Sequence, residues 1–189
     1  MSKKQAPYKI AFCAVIFFFL CHIPVVMGTP NVLISAQVDM DFGQTDYSGG
    51  ALGSINMGTN GNISYVGSFS GDGIGTAGQF LMTLIFGTNN GVSIACDTNA
   101  TLTNGAGASV SLTNIEFVVG SGNRTGFGSG TLCQGLGTTI SPIAVTGGTS
   151  NRTVYIGGSL NISSPIPVAG DYSTANSGGN PMTFVILRL

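Results

Sequence analysis

Beyond residue 28, apolar residues recur at every second position in short runs closed by turn residues, and no window holds apolar positions at helical spacing for three turns. That pattern constrains the fold more than any other feature, because period-two alternation places one set of side chains on each face of a strand. Val32, Ile34, Ala36, Val38 and Met40 alternate with Ser35, Gln37, Asp39 and Asp41, which predicts a strand with one buried and one wet face. Further strands are expected over 51–57, 62–69, 79–86, 92–102, 109–119, 130–135, 143–146, 153–163 and 182–189. Gly49-Gly50, Asn60-Gly61, Asp72-Gly73, Asn104-Gly105 and Gly178-Gly179 lie between them and supply the positive φ angles that tight hairpins need. Glycine alone accounts for 30 of the 189 residues. The reading is a single all-β domain, an immunoglobulin-like sandwich of about eight to ten strands.

The amino terminus does not share this pattern. Lys3, Lys4 and Lys9 precede an unbroken apolar run over 10–21, Pro24 ends it, and Val26-Met27-Gly28 offers compact residues before a cut. These are the parts of an export signal, so 1–28 is expected to be a signal helix removed on secretion and 29–189 the mature sandwich. The apolar run is short for a bilayer span, which needs roughly 20 residues, so the mature form is not expected to cross a membrane. Cys13 and Cys21 would leave with the signal. Cys96 and Cys133 remain as an even pair that an oxidising compartment would join.

Charge then narrows function. All three Lys and the single His, His22, precede residue 29, while every acid follows it. The expected mature chain has only Arg124, Arg152 and Arg188 against seven acids. Nucleic-acid binding needs clustered cations to displace phosphate counterions, and this domain lacks them. Triads with His, His-containing zinc sites, Schiff-base lysines and P-loops require residue types that the body of the chain does not contain. No catalytic, cofactor or metal site is assigned.

The segments Met40-Asp41-Phe42-Gly43, Val154-Tyr155-Ile156-Gly157-Gly158-Ser159-Leu160-Asn161-Ile162 and Ala169-Gly170-Asp171-Tyr172-Ser173 follow the expected signal in that order. In this order they resemble a domain-of-unknown-function family of secreted bacterial proteins, similar in turn to pilin-like proteins such as spore coat protein U. The resemblance implies a surface-associated immunoglobulin-like sandwich acting in fimbria-like assembly or adhesion, in the periplasm, at the cell surface or outside the cell. It also implies other pilin-like subunits or a periplasmic chaperone as partners. Pilins assembled by chaperone and usher are completed by a strand from the next subunit, a form of strand addition. Val32, Ile34, Ala36, Val38 and Met40 are the candidate exchanged residues; an ordinary first strand is the competing reading of the same segment. The chain departs from the family by inserting residues 174–181 before its last strand.

Other features of the chain are candidate sites. The Gly-dense segment 120–130 lacks the following helix and the Lys of a phosphate cradle, so it reads as a mobile loop. Loops carry recognition on sandwich scaffolds, which makes Asn123, Arg124 and Phe127 candidate contacts in an alternative reading: a monomeric module binding surface glycans. Tyr47, Tyr65 and Tyr172 could stack on sugar rings in that reading, with Phe69, Phe80, Phe86, Phe117 and Phe184 assigned to the core. Asp39 and Asp41 share a face of the first expected strand, a spacing that could serve a hydrolase, but the pair reads as the wet face of an amphipathic strand. Asp72 reads as a turn residue. Asn62, Asn99, Asn123, Asn151 and Asn161 each begin an Asn-x-Ser/Thr sequence, which bears on function only in a eukaryotic host.

Overall fold

The computed structural model describes residues 8–14, 32–86, 90–120, 125–138, 140–145, 148–163 and 170–188. Among them the regular structure is strand throughout: β1 (Tyr8–Ala14), β2 (Val32–Val38), β3 (Met40–Tyr47), β4 (Ser54–Met57), β5 (Ile63–Tyr65), β6 (Phe69–Gly71), β7 (Gly78–Phe86), β8 (Asn90–Cys96), β9 (Ala100–Thr103), β10 (Ser109–Gly120), β11 (Thr131–Leu132), β12 (Ile140–Val145), β13 (Gly148–Asn161), β14 (Asp171–Tyr172) and β15 (Phe184–Arg188). The all-β expectation holds.

The longest strand, β13, organises the largest sheet. It pairs along one side with β10 and along the other with β7 and then β4. β2 pairs with the outer side of β7, β5 with β4, and β9 and β11 with β10. A second sheet runs β12-β8-β15, and a third runs β14-β1-β3-β6. All named pairings are antiparallel except β1 with β14.

Two of the sheets meet through aromatics. Phe184 of β15 lies 5.4 Å from Phe80 of β7 and 6.1 Å from Phe117 of β10, centroid to centroid. Offset and edge-on ring pairs of this kind add to the burial of area and hold facing sheets in one arrangement. Val154 and Ile156 of β13, Leu112 and Ile115 of β10, and Val92 and Ile94 of β8 complete this core. Cys96 at the end of β8 is bonded to Cys133 just after β11, with a Cα–Cα distance of 5.2 Å. The bond fastens the three-stranded sheet to the edge of the large one. Backbone bonds flank it: Cys133 N–H donates to Ile115 O and Gly135 N–H to Cys96 O.

Several expected runs are divided. The run over 92–102 breaks after Cys96, where the Thr183 N–H donates to Asp97 Oδ2 at 2.9 Å and β8 and β9 go to different sheets. The run over 62–69 yields β5 and β6, separated by Gly67 at φ +88°. Tyr8–Ala14, expected within the signal helix, is a strand. Tyr8, Ile10 and Phe12 are β-favouring residue types, and β3 offers them a continuous ladder of backbone partners. The rest of the expected signal lies outside the described residues.

Candidate strand-acceptor slot

β3 supplies one wall of the site. Met40, Phe42, Thr45 and Tyr47 are buried, and Tyr47 stacks against Phe69 of β6 at 5.1 Å. Strict alternation would turn Thr45 and Tyr47 outward after Met40 and Phe42, so the strand must gain a residue between them. It does so at a bulge: β1 pairs with Gly43 at Phe12 and with Asp41 at Cys13, leaving Phe42 as the extra residue. Gly43 adopts φ +66°, and a Cβ there would stand 2.9 Å from Ile74 O, so the bulge requires glycine. The Gly43 N–H donates to Asp41 Oδ1 at 2.8 Å. Asp41 is thus engaged in shaping the backbone.

β1 lies between β3 and β14. It pairs antiparallel with β3 from Tyr8 opposite Tyr47 to Ala14 opposite Met40, and parallel with β14 through Ala11 opposite Asp171 and Phe12 opposite Tyr172. Tyr172 is fully buried, and that burial raises its hydroxyl pKa. Thr45 Oγ1 and Asp46 Oδ1 are buried beside this strand with no hydrogen-bond partner among the described residues.

Both walls of the slot have supports that do not involve β1. β3 is paired with β6, and Asp41 and Thr76 exchange backbone bonds of 2.9 and 2.7 Å. β14 continues into Ser173, which exchanges backbone bonds with Thr103 of β9, and Asn176 Nδ2 donates to Thr103 O. Residues 174–181 therefore tie the β14 wall to the large sheet: Thr103 Oγ1 donates to Ser177 O, and the Asn180 N–H donates to Thr101 O.

The candidate exchange residues divide between two places. Val32, Ile34, Ala36 and Val38 lie in β2 on the outer edge of β7, whereas Met40 is buried in β3. The expected alternation of a buried and a wet face is not found over β2, where Leu33 is 54% and Ile34 37% exposed. An edge strand paired on one side has little to bury its side chains against, and the chain changes sheet at exposed Asp39. That break also separates Asp39 from Asp41, so the shared-face arrangement of a carboxylate pair is absent.

The Gly-dense loop is fastened where it is described. Thr59 Oγ1 is buried, accepts the Thr125 N–H at 2.9 Å and donates to Thr125 O at 2.9 Å. The N–H groups of Gly128 and Gly130 donate to Glu116 Oε2 at 3.0 and 2.9 Å. Glu116 is fully buried, and its Oε1 has no partner among the described residues. Burial raises its pKa against the opposing effect of the two N–H bonds. Sequence reasoning missed this residue because its neighbours in an alternating strand predict a solvated glutamate. Phe127 is half-buried, and Asn123 and Arg124 lie outside the described residues. Tyr47 and Tyr172 belong to the core, which removes two of the three tyrosines considered as sugar platforms. Asp72 Oδ1 accepts the Ile74 N–H, as a turn residue would. No cluster of three or more metal-ligating side chains occurs among the described residues.

No protein-family model matches the chain, and a search of curated proteins finds no match.

Proposed function

We propose that this chain is an exported, non-enzymatic structural or adhesive subunit of the pilin-like kind, whose third sheet is completed by a strand supplied from another molecule. One observation carries the reading: the strand filling the slot between β3 and β14 is Tyr8–Ala14, which lies inside the segment expected to be removed on export. After removal, the backbone groups of β3 that face β1 have no partner, beside walls that carry the buried apolar side chains of Met40, Phe42 and Tyr172. Unpaired backbone groups beside apolar walls are costly, so the slot favours strand addition. The anchors of both walls remain when β1 is gone.

Other subunits, or a periplasmic chaperone holding the slot before assembly, are the partners this reading calls for, at the cell surface or in the periplasm. The glycan-binding alternative has weaker support, with Tyr47 and Tyr172 in the core. The test is to export the full chain, confirm by intact mass that the mature form starts near Thr29, and run it unboiled in detergent. A ladder that collapses on boiling is expected. A lone monomer band in both lanes would refute strand completion between molecules.

A further inference from the structure

Of the Asn-x-Ser/Thr sequences in the chain, one carries an extra residue. Asp97-Thr98-Asn99-Ala100-Thr101 places an acid two residues before the asparagine and a hydroxyl two residues after it. At the earlier position Asn62, Asn123, Asn151 and Asn161 have Asn60, Ser121, Thr149 and Ser159 instead. Eukaryotic transferases read the asparagine and the hydroxyl. Those that glycosylate exported chains in bacteria also hold the acid, which gives a cationic side chain a charge-assisted contact. The restriction to a eukaryotic host therefore does not extend to Asn99.

The fold leaves room for a sugar here and at the same time closes the sequence around it. Asn99 is exposed in the connection between β8 and β9, and its Nδ2 donates to the Oγ1 of exposed Thr98 at 3.3 Å. On both sides the segment is clamped to 180–183. Asp97 donates its N–H to Thr183 O and accepts the Thr183 N–H on Oδ2, while Thr101 and Asn180 exchange backbone bonds of 3.0 and 2.9 Å. Ala100 is buried in the core, and Thr101 is paired with Ser111 of β10. A transferase has to draw the residues from Asp97 to Thr101 into its own site, so the folded chain withholds them. Transfer must precede closure of the clamp, which the disulfide at the neighbouring Cys96 then secures.

We propose that Asn99 is the acceptor of an N-linked oligosaccharide, added in the export compartment before the chain folds. The donor class is a lipid-linked oligosaccharyl pyrophosphate. Nδ2 of Asn99 bonds to the anomeric carbon of the first sugar and gives up one proton, while the bond from that carbon to the pyrophosphate oxygen breaks and the lipid pyrophosphate leaves with the electron pair. Asp97 is first a recognition residue for the transferase and afterwards the acceptor of the Thr183 N–H. The proposal shares with the proposed function the export of the chain and needs neither the slot nor its occupant.

The test exports the full chain in a bacterium that expresses an acid-requiring transferase with a lipid-linked glycan of known mass, beside a control acceptor protein. The mature chain is expected to gain the mass of one glycan, mapped to Asn99. The gain should vanish in Asn99→Gln and in Asp97→Asn, and persist in Asp97→Glu and in Asn62→Gln. A folding defect cannot imitate the Asp97→Asn result, because a loosened clamp raises access to Asn99; for that reason Cys96→Ser together with Cys133→Ser is expected to increase the glycosylated fraction. An unmodified chain cut near Thr29, with the control acceptor glycosylated, would overturn the proposal and leave the proposed function standing. A glycan on another asparagine in place of Asn99, or equal modification of Asp97→Asn, would overturn it as well. A chain that keeps residues 1–28 would refute export and both readings with it.

Discussion

The Gly130 N–H donates to Oε2 of Glu116 at 2.9 Å, joining the Gly-dense loop to a carboxyl group with no exposed surface. A Cβ at Gly130 would stand 3.1 Å from both Cβ and Oε2 of Glu116, so the loop sits as close as a backbone without side chain allows. The loop that looks unconstrained in sequence is held from beneath by one acid.

Glu116 makes stability depend on pH in a defined direction. Its native pKa is raised above the ordinary value of 4.5, so the folded state holds the proton more tightly than the unfolded state. Its contribution is complete below 4.5 and is lost as pH rises from there through the raised native value. Glu116→Gln imitates the protonated acid. Its melting temperature is expected to match the wild type in acid and to exceed it at neutral pH; equal differences at both ends would contradict the assignment.

Thr59 holds the other end of the loop. Thr59→Val keeps the shape but deprives the Thr125 N–H and C=O of their side-chain partner. A loss of about 1–3 kcal/mol is expected in denaturant unfolding, as for other buried groups left unsatisfied. Hydrogen exchange over 125–130 should accelerate in the variant; unchanged protection there would show that the Thr59 contacts do not hold the loop.

The Cys96 to Cys133 bond closes a separation of 37 residues. Cys133→Ser together with Cys96→Ser is expected to lower stability by roughly 3–4 kcal/mol on the chain-entropy estimate. Calorimetry of the oxidised wild type and the double variant checks this, and a difference near zero would mean that the two sheets need no covalent link.

Gly157 lies where β13 passes the turn after β4, and a Cβ there would stand 2.5 Å from Met57 O and 2.9 Å from Gly58 C. Backbone cannot yield as a flexible side chain does. Gly157→Ala is therefore expected to cost about 1–3 kcal/mol by overpacking, read as a lowered denaturation midpoint. A neutral result would place the two strands further apart than described.

The all-β class and most strand positions were legible because alternation and turn dipeptides are local properties. Asp97 and Gly67 show where that legibility ended. Whether a long run continues or divides depends on Thr183, 86 residues from Asp97, and on which sheet receives each half. β14 is two residues long, and the adjoining Ser173 is held by backbone bonds with Thr103, a partner that no local pattern contains. The disulfide followed from counting cysteines. The alternation over 32–40 was visible, but its burial was not, because an edge strand and an inserted strand share one pattern. Glu116 was hidden for the same reason: solvent and a covering loop are indistinguishable from within β10.

Sedimentation of the chain exported from its full-length form, with its amino terminus confirmed by mass, tests strand completion most directly. The account predicts multimers that survive dilution and dissociate only on unfolding. A stable monomer with slow hydrogen exchange throughout 40–47 would contradict it, since β3 would then be paired without a strand from any other molecule.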